Sequence, residues 1–134
     1  MESEKEWVFV YGTLRPGASN AHRMEGAEWS ARAEVEGRLH VVDTYREFIY
    51  PALIPGGACR VVGDLFRVPD EVMAALDEFE GDEYERVLLQ LVSVQGMEKS
   101  PDRPSHAWVW VWKGGVEGMQ QLPLGDWFDA FDSP

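Results

Sequence analysis

The sequence predicts an α+β fold in which one curved, mostly antiparallel sheet approaches a small barrel and carries two or so short helices. Two observations lead to this class. Several apolar or alternating segments are separated by glycine and proline turns, and only two stretches have helical character. These elements do not repeat as strand, helix, strand, so a parallel sheet is not expected. We treat residues 1–134 as a single domain with a flexible N-terminus at residues 1–6.

The first part of the chain predicts two strands and a short helix. Residues 7–11, WVFVY, form a continuous β-branched and aromatic run that is typical of a buried strand. Residues 21–26 follow two possible N-cap residues and predict a short helix. Residues 31–42 begin with alternating apolar and charged side chains, which predicts a strand with one face in water.

The middle of the chain is more ambiguous. Residues 48–55 are apolar but contain two prolines, so we expect either an edge or an irregular covering loop. The pair Gly56 and Gly57 predicts a turn, and residues 58–68 then alternate as a strand. Cys59 has no neighbouring base, and we interpret it as a small core residue.

A second helix and two further strands complete the predicted fold. Asp70 is a plausible N-cap for a helix whose apolar residues recur at helical spacing, and Gly81 is where that helix should end. Residues 84–95 and 106–113 predict strands. The tail, residues 122–134, contains three large aromatic side chains, so we expect it to pack back onto the body.

Composition excludes several classes of function. The formal net charge of −12 disfavours nucleic acid and anionic membranes as partners. No apolar run is long enough to span a membrane, and the acidic start lacks a signal core, so a cytoplasmic location is expected. The single cysteine and three scattered histidines predict neither an internal disulfide nor a metal site, and no cofactor is expected.

The loop after the first strand is the first candidate site. Gly12 allows the backbone to approach a ligand closely, and the amides of such a loop can face an anion. Gly12 and Gly17 have the spacing of a phosphate-binding loop, but Ala18 stands where that motif requires lysine, which disfavours nucleotide hydrolysis. A plain glycine turn remains the alternative.

The acidic end of the second helix is the second candidate. Asp77 and Glu80 are three residues apart and therefore share a helix face, although we interpret Asp77 and Glu78 first as a solvated acidic surface. Glu80 stands at the C-terminal end, where the helix dipole, acidic neighbours and any burial would all raise the pKa of its carboxyl group. Such a glutamate suits general acid/base catalysis.

Three aromatic or basic features have both structural and functional interpretations. Tyr84 can offer a hydroxyl to a pocket or be a strand aromatic with a wet tip, and Arg86 can pair with a nearby carboxylate. The stripe of Trp108, Trp110 and Trp112 can stack a ligand, but one face of a half-buried sheet explains it more simply.

Taken together, the chain resembles the γ-glutamylcyclotransferase-like family, which includes the γ-glutamylamine cyclotransferases and the plant avirulence-induced proteins. The segment VFVYGTLRPG resembles the family's opening strand and its Tyr-Gly-Thr/Ser-Leu binding loop, and LDEFEG followed by YER resembles the stretch that holds its catalytic glutamate. The resemblance runs from Val8 to Trp127 and rests on residues 8–17 with Asn20, 63–66, 76–86 and 125–127.

The resemblance implies a fold, a reaction and a set of site residues. A γ-glutamyl amine or peptide would be converted into 5-oxoproline and a free amine, without metal or cofactor. The catalytic residue would be Glu80, and the substrate-binding residues would be Tyr11, Gly12, Thr13, Leu14, Arg15 and Tyr84. The alternatives are a small-molecule binding module without turnover, a γ-glutamyl amide hydrolase or acyltransferase, and a protein-interaction domain that uses the aromatic tail.

Overall fold

The computed structural model of the chain describes residues 5–45, 48–129 and 131. Its strands are β1 (Lys5–Val10), β2 (Glu28–Tyr45), β3 (Phe48–Pro69), β4 (Tyr84–Val94), β5 (His106–Trp112) and β6 (Gln121–Leu122). One α-helix, α1, spans Asp70–Glu80, and 3₁₀ helices span Ala21–Met24, Gly81–Glu83 and Trp127–Asp129. No helix among the described residues is long and apolar enough to cross a membrane.

Five of the strands close on themselves. They are hydrogen-bonded in the order β3-β1-β5-β4-β2, and β2 pairs with β3 again, while the short β6 extends from β2. Every pairing is antiparallel except that of β1 with β5. The predicted α+β class, with a mostly antiparallel sheet that approaches a barrel, is therefore confirmed.

Successive side chains of a strand point to opposite faces of the closed sheet, and both faces carry apolar residues. On β5, Ala107, Val109 and Val111 belong to the larger buried cluster, which also holds Trp127 from the tail. The intervening Trp110 belongs to a second buried cluster, which joins β1 and β3 to α1 and the 3₁₀ helix Ala21–Met24. Trp108 and Trp110 of the tryptophan stripe thus pack in the cluster that includes the helix, and the packing predicted for the tail is confirmed at Trp127.

Residues 48–55 form the first part of β3 and are therefore a strand rather than a covering loop. They pair with residues 37–45 of β2, whereas β1 reaches only residues 64–69 of β3. In the described part of the chain, one side of this segment is consequently a sheet edge. An edge tolerates prolines because the missing N–H interrupts no ladder there, so the edge alternative holds.

The glycine pair lies within β3 instead of ending a strand. Glu36 pairs with Arg60 and the next residue of β2 pairs with Pro55, so residues 56–59 bulge out of the ladder. Gly56 and Gly57 have φ values of 92° and 91°, which suits glycine. Cys59 lies in this bulge and is exposed. Its interpretation as a core residue was wrong, because the chain leaves the sheet at that point.

The ends of α1 and the chain's N-terminus differ slightly from expectation. Asp70 is the first helical residue rather than the N-cap, which is Pro69 and makes no side-chain capping bond. Gly81 ends the helix as predicted, with a φ of 70° and an N–H that donates to the carbonyl of Asp77. In the predicted flexible segment, Lys5 already belongs to β1, while residues 1–4 lie outside the described residues.

A buried cation anchors the loop that follows β1. Arg15 is 0% exposed, and its Nε donates to Oδ2 of Asp64 on β3 at 2.7 Å. Its Nη1 donates to Oδ1 of Asp126 in the tail, also at 2.7 Å. The guanidinium carbon lies 4.1 Å from the centroid of the Phe128 ring. One side chain therefore ties the loop, the barrel and the tail together.

The Asp64→Asn substitution should destabilise the protein by about 2–4 kcal/mol, because it removes a charge that compensates a fully buried guanidinium. Urea unfolding measures the loss. The matched control is Glu28→Gln, which breaks the exposed ion pair with Lys5 and should change stability far less, because water already solvates both charges. Equal effects of the two substitutions would contradict the anchoring role of Arg15.

Candidate active site

A cavity of about 200 Å³ opens beside the C-terminal end of α1. It lies where the loop after β1 meets the end of α1, the start of β4 and the edge segment of β3. The side chains and backbone that line it belong to Phe9, Val10, Tyr11, Gly12, Thr13, Leu14, Asn20, Tyr50, Pro51, Phe79, Glu80, Glu83, Tyr84 and Trp110. The two segments predicted independently to carry chemistry therefore face one space.

The loop at residues 11–14 forms one wall of the cavity. It is folded by hydrogen bonds from the amide of Arg15 to the carbonyl of Gly12 and from the amide of Asn20 to the carbonyl of Thr13. Among the described residues, the amides of Thr13 and Leu14 donate to no backbone carbonyl. These N–H groups remain available to an anionic or partly negative ligand atom.

Gly12 is required by a close contact rather than by its backbone angles. A Cβ atom built on Gly12 would lie 2.3 Å from Cγ of Pro51. The proline ring therefore occupies the volume that any side chain at position 12 would need. This contact seats the edge segment of β3 against the loop and completes the wall of the cavity.

Glu80 is the last residue of α1, and its half-buried side chain lines the cavity. Burial raises the pKa of its carboxyl group to about 7 because the ionised form loses hydration. The positive charge of Arg23 opposes this increase, and the negative charge of Asp77 adds to it. Glu78 is exposed and does not line the cavity. Glu80 can thus both accept and donate a proton near neutral pH.

Asp77 fastens the last turns of α1 to the sheet. Its Oδ1 accepts hydrogen bonds from Nε of Arg86 on β4 at 3.0 Å and from Nε1 of Trp110 on β5 at 2.9 Å. The solvated-face interpretation is therefore incomplete for Asp77, whose side chain is 39% exposed but bonded to the sheet, whereas it holds for the exposed Glu78. Since Glu80 lies three residues further on, this clamp fixes the helical turn from which the Glu80 side chain projects.

The two tyrosines of the cavity are oriented by backbone carbonyls. The hydroxyl of Tyr84 donates to the carbonyl of Pro51 at 2.6 Å, and that of Tyr11 donates to the carbonyl of Trp110 at 2.7 Å. Burial raises the pKa of both phenols, so both stay protonated near neutral pH. Because each hydroxyl proton is already committed, the Tyr84 oxygen can only accept a hydrogen bond from a ligand.

The predicted site residues are brought together with one exception. Tyr11, Gly12, Thr13, Leu14, Glu80 and Tyr84 all line the cavity. Arg15 does not line it, and its guanidinium is engaged with Asp64 and Asp126 instead. The substrate contact implied for Arg15 is therefore corrected to a structural contact, because its side chain turns into the protein interior.

Several cavity residues were not singled out from the sequence. Tyr50 and Pro51 come from the ambiguous apolar segment, and Glu83 comes from the 3₁₀ helix after α1. Arg23 also approaches the site, since its guanidinium carbon lies 3.9 Å from the centroid of the Phe79 ring. Its Nε donates to Oδ1 of Asn20 at 3.3 Å. No periodicity marks these residues, because their proximity arises only when separate elements pack.

Comparison with known proteins places the chain in a family. The model of the family described as γ-glutamyl cyclotransferase, AIG2-like, matches residues 8–129. The chain belongs to that family. It is 30% identical over 127 residues to the γ-glutamylcyclotransferase family protein YtfP of Escherichia coli K12, covering 91% of this chain and 96% of that protein. It is 39% identical over 101 residues to a γ-glutamylaminecyclotransferase of Bos taurus, covering 67% of this chain and 58% of that protein.

Solved structures share the family fold. An uncharacterised protein from Pyrococcus horikoshii superposes with a TM-score of 0.70 at 22% identity, covering 92% of this chain and 91% of that one. The solution structure of YtfP from Escherichia coli gives a TM-score of 0.63 at 28% identity, covering 92% and 96%. The fold of this chain is therefore shared by both solved structures.

The raised pKa of Glu80 predicts a stability difference that depends on pH. Above pH 7 the ionised carboxylate is held in a partly dry cavity, and this destabilises the folded protein relative to a neutral isostere. The Glu80→Gln variant should therefore be more stable at pH 8 by about 1–2 kcal/mol, allowing for partial solvation.

The difference should shrink as the pH falls from 7 toward 4.5 and vanish below that, where the carboxyl is protonated in both the folded and the unfolded protein. Thermal unfolding of both proteins across this range measures it. Glu78→Gln is the control and should show no such pH-dependent gain. A Glu80→Gln variant that is less stable than the wild type at pH 8 would contradict the burial of this charge.

Proposed function

We propose that this chain converts a γ-glutamyl amine or γ-glutamyl peptide into 5-oxoproline and a free amine, with Glu80 as the general acid/base. The observation that carries the proposal is the placement of a carboxyl group with a pKa of about 7 in the same cavity as the loop at residues 11–14. The names of the relatives agree with the substrate class.

The reaction joins two ends of one substrate. The α-amino nitrogen of the glutamyl group attacks its own γ-carbonyl carbon, forming the ring C–N bond, and the bond to the departing amine then breaks. Ring closure is intramolecular, so holding the substrate folded can supply up to roughly 7–11 kcal/mol of the barrier in favourable cases. The protein therefore needs chiefly to hold that shape and to move protons.

Glu80 can carry protons from one nitrogen of the substrate to the other and return to its initial protonation state. Two protons leave the α-ammonium nitrogen during ring closure, and the departing nitrogen gains two if it leaves as an ammonium ion. A carboxylate that accepts a proton from one nitrogen and gives it to the other can serve for each transfer. A pKa of about 7 suits both directions, because neither protonation state is strongly favoured at neutral pH.

The remaining cavity residues suit the charges of this substrate. The unengaged amides of Thr13 and Leu14 can hold the glutamyl carboxylate or the oxygen that becomes negative during attack. The Tyr84 hydroxyl, whose proton is donated to Pro51, can accept a hydrogen bond from the α-ammonium group. The apolar rings of Phe9, Phe79 and Trp110 line the same cavity and help to exclude water from it.

The Glu80→Gln substitution should abolish turnover while leaving the fold intact. Glutamine keeps the size of the side chain but cannot carry a proton, and general acid/base catalysis is typically worth ~10²–10⁴ in rate. Formation of 5-oxoproline from a panel of γ-glutamyl compounds, followed by mass spectrometry, measures the loss.

Glu78→Gln is the matched control and should retain nearly normal activity, because Glu78 is exposed outside the cavity. If Glu78→Gln is the inactive variant, the assignment of the acid/base is wrong. Ligand binding by the wild type with no product at high protein concentration would favour a binding module. Release of glutamate in place of 5-oxoproline would favour a hydrolase.

The pH profile of kcat/KM should rise through a limb with an apparent pKa near 7. Below this pH Glu80 is protonated and cannot accept the first proton, whereas above it the carboxylate is ready. Steady-state rates between pH 5 and 9 measure the limb. A profile that is flat from pH 5 to 8 would indicate a glutamate of ordinary pKa and contradict the proposed role.

A further inference from the structure

The mouth of the cavity carries the positive charge of Arg23, which has so far entered only through its effect on the pKa of Glu80. Arg23 is exposed on the 3₁₀ helix Ala21–Met24. Its guanidinium stacks on Phe79, 3.9 Å from the ring centroid, and its Nε donates to Asn20 at 3.3 Å. Phe79 and Asn20 both line the cavity. Arg23 is therefore fixed beside the opening by two lining residues.

The terminal nitrogens of this arginine are free to bind a ligand. The Arg23 side chain makes one hydrogen bond within the described residues, and it is made by Nε. The two Nη groups therefore have no hydrogen-bond partner there. The described lining includes the carboxylates of Glu80 and Glu83 but no lysine or arginine. Among the described residues, Arg23 thus places a cation beside a lining that has none, and a planar guanidinium fits a carboxylate with two parallel hydrogen bonds.

Depth in the cavity indicates which part of a substrate Arg23 would meet. The half-buried Glu80 must lie next to the α-amino group and the γ-carbonyl carbon, because both react there. The glutamyl portion therefore occupies the inner part, between Glu80 and the amides of Thr13 and Leu14. The departing amine then extends toward solvent, where the exposed Arg23 stands.

We propose that Arg23 binds a carboxylate on the departing amine, so that the site favours γ-glutamyl compounds whose departing portion is an amino acid. The inference rests on the proposed function and adds a specificity-determining residue to it. Stacking on Phe79 and the bond to Asn20 hold the guanidinium in advance, so less conformational freedom is lost when the carboxylate binds. Without Arg23, the negative charge of Glu83 at the opening would disfavour such a substrate.

Two substrates that differ only in this carboxylate test the proposal. γ-Glutamylalanine releases alanine, and γ-glutamylethylamine releases ethylamine, which is alanine without its carboxylate. The wild type should favour γ-glutamylalanine by about tenfold in kcat/KM, mainly through KM, as expected for one partly exposed charge-assisted pair. Because Arg23 also lowers the pKa of Glu80, the two proteins are compared at pH 9, well above that pKa. There Arg23→Gln should remove this preference by weakening γ-glutamylalanine about tenfold and changing γ-glutamylethylamine less than about twofold.

Two further variants sharpen the test. Arg23→Lys keeps the charge but not the planar fork, and it should recover part of the preference. Arg32→Gln removes an exposed arginine that does not line the cavity and should leave both substrates unchanged. If Arg23→Gln weakens both substrates equally, the residue acts on the glutamyl portion and the proposal is wrong. If the preference survives Arg23→Gln, another group recognises the carboxylate and the proposal is equally wrong.

Binding to the Glu80→Gln variant separates this inference from the proposed function. Calorimetric titration with the two compounds, with and without the Arg23→Gln change, compares Kd values in the absence of turnover. A tighter Kd for γ-glutamylalanine that depends on Arg23 supports the inference even if the wild type forms no 5-oxoproline. Equal Kd values for the two compounds, or no binding of either, would overturn it whatever the activity of the wild type.

Discussion

The buried guanidinium of Arg15 is the interaction on which the arrangement of the site depends. It connects the loop after β1 to Asp64 on β3 and to Asp126 in the tail, 111 residues further along the chain. Desolvating such a charge is unfavourable unless both carboxylates are present in good geometry. The pairing therefore acts as a requirement for correct assembly, and it holds in place the loop whose amides face the cavity.

A second constraint works from the opposite wall. Asp77 is bonded to Arg86 and Trp110, and this fixes the turn of α1 that ends at Glu80. The carboxyl of Glu80 is thereby kept in surroundings that disfavour its ionised form. A side chain free to turn to solvent would regain its hydration and an ordinary pKa. The raised pKa of Glu80 thus depends on the packing of Asp77, which lies earlier in the same helix.

Local patterns were sufficient to predict the class of fold and to single out Glu80, whereas most of the other cavity residues were implied by the family resemblance. These features are properties of adjacent residues: the alternation within strands, the glycine after the first strand and the helix end at Gly81. The position of Glu80 at the C-terminal end of the helix is also a local property. The edge segment around Pro51, the bulge that exposes Cys59 and the approach of Arg23 to Phe79 depend on pairing between distant segments. The direction of the Arg15 side chain likewise depends on Asp126, which no local pattern connects to it.

The contact between Gly12 and Pro51 links two walls of the cavity to each other. A methyl group at position 12 would occupy the place of the proline ring, whose own carbonyl accepts the hydroxyl proton of Tyr84. A larger residue at position 12 therefore becomes tolerable only if position 51 carries a smaller side chain or moves away, and a movement of the backbone there would also take the acceptor from Tyr84. Substitutions at positions 12, 51 and 84 are therefore expected to occur together among related chains.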